Sequence, residues 1–198
     1  MLIKICGITN RADAEAAVAM GAGAIGLNFW PSSPRWVTPQ AAAELARDLP
    51  RTALRVGVFV NAEANEIAQT VQTVGLDIVQ LHGDSQAPPG IPLWRALAVN
   101  ENFDPALLDD PAAEAFLLDS PSGERRGGTG RAFDWNLVRG LKQRIVLAGG
   151  LEAGNVAAAI EAVRPWGVDA CSRLESSPGK KDHQKMAAFI AAAQATCT

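Results

Sequence analysis

Eight short runs rich in Ile, Val and Leu, at 2–6, 24–29, 54–60, 77–82, 93–99, 115–119, 144–149 and 167–171, constrain this chain more than any other feature. Between them lie Ala-rich segments whose apolar residues recur at helical spacing, with helices expected at 10–20, 39–48, 63–74, 134–141, 153–163 and 182–195. Strands that are apolar along their whole length need cover on both faces, which a parallel sheet wrapped in helices provides. Eight such βα units in 198 residues match the small end of the closed (β/α)8 TIM barrel, an α/β fold, as a single domain over 1–198. The open doubly wound sheet covers strands in the same way, but its G-x-G-x-x-G fingerprint is missing after the first run, where residues 7–10 read GITN. The weakest helices are expected in the fourth and fifth connections, HGDSQAPPGIP and NENFDPALLDDPAAE.

Charge and cysteine usage exclude several classes of partner. A formal net charge of -3 with scattered Lys and Arg gives no footprint for nucleic acid or an anionic membrane, so any bound anion must meet a local site. The longest apolar stretches, such as AAVAMGAGAIGLNFW, contain glycines and fall short of a bilayer span, and MLIKICG reads as a first strand rather than a secretory signal. Cys6, Cys171 and Cys197 are odd in number and lack C-x-x-C spacing, which argues against a disulfide framework or a metal site and for the reducing cytoplasm.

In a barrel of this kind the chemistry sits at the carboxyl ends of the strands. There the sequence places Lys4-Ile5-Cys6-Gly7, then Asn28 through Arg35, Asp119-Ser120, Gly149-Gly150, and Asp169-Ala170-Cys171-Ser172. A thiol, two carboxylates and an arginine are thus gathered on one rim. Glycines in the loops after the sixth and seventh runs, Gly127, Gly128 and Gly130 in RGGTG and Gly149 and Gly150 in AGG, allow backbone N–H groups to approach a ligand closely. Bare amides at helix starts cradle phosphate, and the loops after strands seven and eight are where such barrels often hold one.

Along its whole length the chain resembles the phosphoribosylanthranilate isomerase family. The resemblance rests on KICGIT (4–9), GLNFWPSSPRWV (26–37), GVFVNA (57–62), VQLHG (79–83), LLDS (117–120), GGTGRAFDW (127–135), LAGGL (147–151) and SSPGKKD (176–182), in order and spacing. It implies a TIM barrel, monomer or homodimer, acting on a small-molecule phosphosugar without cofactor or metal. The implied reaction is the third step of tryptophan biosynthesis, an Amadori rearrangement of the sugar. It also implies that Cys6 is the general base, Asp119 the general acid, Arg35 the partner of the anthranilate carboxylate, and Asp169 a hydrogen-bonding group near the reacting atoms. Trp30 or Trp36 is the candidate to flank the aromatic ring. Near neutral pH such chemistry asks burial to keep Asp119 partly protonated while Cys6 deprotonates readily.

The chain departs from the family after the eighth run, where Ser172-Arg173-Leu174-Glu175 stands in place of S-G-V-E. Either Arg173 adds positive charge beside the phosphate, together with Ser172, or it obstructs the site and leaves a phosphate-ligand-binding barrel with impaired or lost turnover. The rival on the same fold, the related isomerase of histidine biosynthesis, uses two aspartates and shows a clearer half-barrel repeat; the Cys6 and Asp119 pair argues against it. Other residues have plainer readings: Cys171 as core filler, His82 in a structural hydrogen bond, His183 and the GKKDHQK charges as solvated, and Lys4 with Asp169 as an internal ion pair.

Overall fold

The computed structural model describes residues 1–121 and 132–196. Eight parallel strands close into a barrel in chain order: β1 (Leu2–Ile5), β2 (Ala24–Asn28), β3 (Leu54–Val60), β4 (Ile78–His82), β5 (Leu93–Ala98), β6 (Ala113–Asp119), β7 (Ile145–Leu147) and β8 (Gly167–Ala170). Closure is made by β1 and β8, paired with Lys4 opposite Asp169 and Ile5 opposite Ala170. Among the described residues five α-helices pack outside: α1 (Arg11–Ala19), α2 (Pro39–Ala46), α3 (Ala64–Val74), α4 (Val156–Val163) and α5 (His183–Ala195).

Local chemistry accounts for where the helices start and stop. The Asn10 side chain accepts from the Asp13 N–H, Thr38 caps α2 ahead of Pro39, and Asp182 accepts from the Gln184 and Lys185 N–H groups. The helix α3 ends at Gly75 in the left-handed conformation. The fourth connection holds no helix, because Pro88, Pro89 and Pro92 remove three backbone donors within a few residues. The fifth holds only a 3₁₀ turn, Pro105–Leu108, and the helix expected over 134–141 is reduced to a 3₁₀ turn at Trp135–Val138.

Two cores flank the barrel wall. Outward residues such as Ile5, Leu27, Phe59, Leu81, Leu118 and Leu147 pack under buried helix residues including Ala17, Leu45, Ile67, Ile160 and Phe189. Inward residues at the amino end, among them Ala24, Val56, Ile78, Ala115 and Val146, close around Trp94, which is fully buried and plugs the floor. Because side chains alternate along a strand, the same inward parity carries Lys4 and Cys6, Gln80 and His82, Leu117 and Asp119, and Asp169 and Cys171 toward the carboxyl end. An antiparallel hairpin not expected from the sequence, β9 (Glu175–Ser177) and β10 (Lys180–Lys181), folds over that end. Its turn is Pro178-Gly179, with Gly179 at φ +81°.

Candidate active site

A cavity of about 680 Å³ opens at the carboxyl end of the barrel, lined by Cys6, Asn28, Trp30, Ser32 through Arg35, Gln80, His82, Leu117, Asp119, Asp169 and Cys171. Cys6, Asp119, Arg35 and Asp169 are therefore brought together from four separate stretches of chain. Trp30 lines this cavity, whereas Trp36 is exposed and borders a shallower hollow of about 710 Å³ outside the barrel, beside Lys180 and His183. Gly127, Gly128 and Gly130, and the tail residue Cys197, lie outside the described residues.

The floor of the cavity is charged and paired. Lys4, with no exposed surface, donates from Nζ to Asp169 Oδ1 at 2.9 Å. Burial alone would lower the Lys4 pKa, but Asp169 and Cys6 together carry it above the usual lysine range. Above the pair, burial pushes the Asp119 carboxyl up to about 6, reinforced by the charge of Asp169 and opposed by the Ser120 N–H, which donates to Oδ1 at 2.7 Å. The Cys6 thiol moves the other way, down to about 7, because Cys171 hydrogen-bonds it and Lys4 attracts its thiolate, against the cost of burial. Cys171 is correspondingly held above the ordinary thiol range by its bond with Cys6 and by burial. Burial and local charge thus shift the two groups in opposite directions, the carboxyl upward and the thiol downward.

Arg35 approaches the rim from the β2 loop but is not idle. Its Nε and Nη2 donate to the two oxygens of Glu175 at 2.8 and 2.7 Å, and Lys181 donates to Glu175 Oε1 at 3.0 Å. Burial would raise the Glu175 pKa, yet Arg35 and Lys181 bring it below the usual carboxylate range. Lys181 also donates to the Cys171 carbonyl at 3.1 Å and lies 3.8 Å from its sulfur. The reading of GKKDHQK as solvated is thus corrected for Lys181, which is 3% exposed, since β10 carries it inward over the barrel end. His183 is exposed, as read, and its Nε2 also pairs with Asp13 Oδ1 at 2.8 Å, tying α5 to α1. Cys171 is no core filler, because the inward parity of β8 places it on the cavity wall beside Cys6. His82 makes the expected structural contact, with Gln80 Nε2 at 2.9 Å.

Two glycines at the rim are forced by geometry. Gly7 takes φ +71°, and a methyl there would lie 2.8 Å from the Cys171 sulfur; Gly149 takes φ +88°, and a methyl would lie 2.9 Å from the Ser120 backbone nitrogen. Beside the main cavity, Gly149, Gly150, Ser172 and Arg173 border a recess of about 30 Å³ that also touches Asp119 and Asp169. Arg173 sits in a 3₁₀ turn, Ser172–Leu174, outside the left-handed region, so the arginine that replaces the family glycine imposes no backbone strain. Glu175 and Lys181 are functional candidates that sequence reasoning missed. Among the described residues no group of three or more His, Cys, Asp or Glu is placed to hold a metal ion, and no helix is long and apolar enough to cross a membrane.

Comparison with known proteins agrees over the whole chain. The family model for N-(5'-phosphoribosyl)anthranilate (PRA) isomerase matches residues 3–192. The N-(5'-phosphoribosyl)anthranilate isomerase of Solibacter usitatus is 50% identical, with 98% of each chain covered. The crystal structure of phosphoribosyl anthranilate isomerase from Thermotoga maritima is 39% identical with a TM-score of 0.90, covering 98% of this chain and 99% of that one. A further structure of this isomerase, in complex with reduced 1-(o-carboxyphenylamino)-1-deoxyribulose 5-phosphate, is 37% identical with a TM-score of 0.86 and covers 98% of this chain and 100% of that one.

Proposed function

Since the chain belongs to the N-(5'-phosphoribosyl)anthranilate isomerase family, we propose that it converts N-(5'-phosphoribosyl)anthranilate to 1-(2-carboxyphenylamino)-1-deoxyribulose 5-phosphate in tryptophan biosynthesis, with Asp119 as acid and Cys6 as base. The observation that carries the residue assignment is that these two groups line one cavity with their pKa values drawn to about 6 and about 7.

Asp119 gives its proton to the furanose ring oxygen, the C1–O bond breaks, and the anthranilate nitrogen lone pair forms the C1=N bond of a protonated Schiff base. The Cys6 thiolate takes the proton from C2, leaving a neutral enolamine. Tautomerisation then moves the hydroxyl proton from O2 to C1 and gives the ketone. Proton exchange with solvent restores the Asp119 carboxyl and the Cys6 thiolate, so there is no net oxidation and no cofactor is called for.

The remaining residues bind. Arg35 meets the anthranilate carboxylate, a planar donor for a planar acceptor, and Trp30 flanks the ring. Asp169, besides holding Lys4, faces the reacting carbons. Gly149, Gly150, Ser172 and Arg173, joined by Gly127, Gly128 and Gly130 of the preceding loop, receive the phosphate. Against a barrel that only binds stands the presence of both the acid and the base, and the unstrained turn that carries Arg173.

The deciding experiment follows the anthranilate fluorescence during substrate consumption by the parent chain and by Cys6→Ala and Asp119→Asn. Each substitution removes one proton-transfer group, so turnover is expected to fall by about 100-fold or more. Turnover near the parent rate in both variants would overturn the assignment.

A further inference from the structure

The mechanism uses one thiol, but the cavity holds two. Cys6 and Cys171 continue the register of β1 and β8, one step beyond the opposed pair Ile5 and Ala170. The Cys6 N–H donates to the Ala170 carbonyl at 2.9 Å, so the two backbones stay paired at this level. Neighbouring strands run about 4.8 Å apart, inside the span of about 4.4–6.8 Å between the Cα atoms of a disulfide. Both side chains point to the same cavity, and their thiols hydrogen-bond each other. Cations stand close by: Lys181 Nζ is 3.8 Å from the Cys171 sulfur, and Lys4 attracts the Cys6 thiolate from below. Positive surroundings favour thiolate, the form that attacks peroxides and disulfides.

We propose that Cys6 and Cys171 form a peroxide-sensitive thiol pair whose oxidation to a disulfide switches the isomerase off and whose reduction by a dithiol restores it. The Cys6 thiolate attacks the O–O bond of a hydroperoxide, which leaves as an alcohol or water while the sulfur becomes a sulfenic acid. Cys171 then attacks that sulfur and expels water, so the two thiols are oxidised by two electrons and the peroxide is reduced by two. Cys171 thereby also protects Cys6 from the irreversible sulfinic state. The loss of activity rests on the reading of Cys6 as the base; formation of the bond does not.

The test uses the full chain with Cys197→Ser, so that Cys6 and Cys171 are the remaining cysteines. Reduced protein is treated with hydrogen peroxide, digested without reductant and mapped by mass spectrometry, with turnover measured alongside and again after dithiothreitol. A Cys6–Cys171 crosslinked peptide, with turnover down by about 100-fold or more and restored by dithiothreitol, supports the proposal. Cys6 carried to the sulfinic acid with no crosslink, or no oxidation of either thiol, overturns it and leaves the role of Cys6 as base untouched. A crosslink with turnover intact overturns the switch and the assigned base together. In Cys171→Ser the crosslink is expected to vanish and Cys6 to overoxidise under the same treatment.

Discussion

Lys4 and Asp169 stand opposite one another where the barrel closes, with Nζ and Oδ1 2.9 Å apart and the lysine entirely out of contact with solvent. This ion pair lies beneath both proposed reacting groups, and its lysine pulls the pKa values of Cys6 and Asp119 downward. Lys4→Met keeps the volume and removes the charge. An unpaired buried carboxylate remains, so unfolding by denaturant is expected to show a loss of about 3–5 kcal/mol. With the lysine gone both reacting groups titrate higher, and the optimum of the pH–rate profile is expected to move to higher pH. An unchanged optimum would separate Lys4 from the chemistry and leave it as a structural pair.

Asp119 contributes instability to the folded chain at neutral pH. Its carboxyl is raised from 3.8 to about 6 on folding, first by burial, so the native state holds the proton more tightly than the unfolded one. Stability from this group is then present at low pH, is lost as pH rises from about 4 to about 6, and stays lost above. Asp119→Asn removes the buried charge at nearly equal volume. The variant is expected to be more stable than the parent at pH 7 by up to about 3 kcal/mol, since each tenfold weakening of a buried acid costs about 1.4 kcal/mol once it ionises and the raised value already includes the attraction to Lys4. Below about pH 4 the two are expected to unfold alike. Equal denaturation midpoints at pH 7 would show that its surroundings do not raise the Asp119 carboxyl.

Gly149 is where the recess proposed to receive the phosphate meets Asp119, the proposed acid. Its φ of +88° disfavours any L side chain, and a methyl would stand 2.9 Å from the Ser120 nitrogen and 3.2 Å from Asp119 Oδ1. Gly149→Ala is therefore expected to cost about 1–3 kcal/mol from backbone strain alone and to displace the end of β6. A fall in kcat beyond the fall in 1/KM, with far-UV circular dichroism unchanged, is the expected signature, since the shifted group is the proposed acid. Full activity and parent stability would mean that the β6 end yields freely.

The barrel was legible because its strands are apolar throughout, and so was most of the cavity. Once a strand is placed, parity alone tells which residues face inward, and Cys6, Asp119 and Asp169 stand on that parity. The same rule applied to β8 would have found Cys171, two residues after Asp169; reading free cysteine as core filler hid it. The partnerships that resisted reading are those between distant segments. Glu175 meets Arg35 across 140 positions of sequence, and His183 meets Asp13 across 170. No local propensity encodes such a pair, and the hairpin that delivers Glu175 and Lys181 has strands of three and two residues, too short for alternation to show.

Glu175 holds two cations at once. Arg35 and Lys181 both donate to it, and its side chain is 4% exposed. Glu175→Gln keeps the shape and removes the charge, leaving the buried Lys181 and the part-buried Arg35 without their shared carboxylate. Stability is expected to drop by about 3 kcal/mol or more. Arg35, released from its carboxylate, is expected to bind an anionic aromatic ligand more tightly, read as a lower Kd for free anthranilate in a fluorescence titration. Weaker binding would show that Glu175 orients the guanidinium rather than competing for it.

If Cys6 and Asp119 react as proposed, their pKa values fix the shape of the activity profile. As the proposed base Cys6 works as thiolate, with its pKa lowered to about 7, and as the proposed acid Asp119 works protonated, with its pKa raised to about 6. The base therefore has the higher value, and each group is in its working form in about a quarter of molecules near pH 6.5, so about 6% of molecules carry both. A bell in kcat/KM centred near pH 6.5 is expected, falling tenfold per unit on both sides once well clear of the two values. Because the enzyme is active only in this minor form, raising either group alone changes the height as well as the position. Removing the Cys171 thiol with Cys171→Ala deletes the hydrogen bond that lowers Cys6 and supports less thiolate at a given pH. Its profile is expected to have the limb on the alkaline side moved to higher pH, with a lower maximum. A flat profile between about pH 5 and about pH 8 in the parent chain would mean that neither group titrates where its surroundings place it.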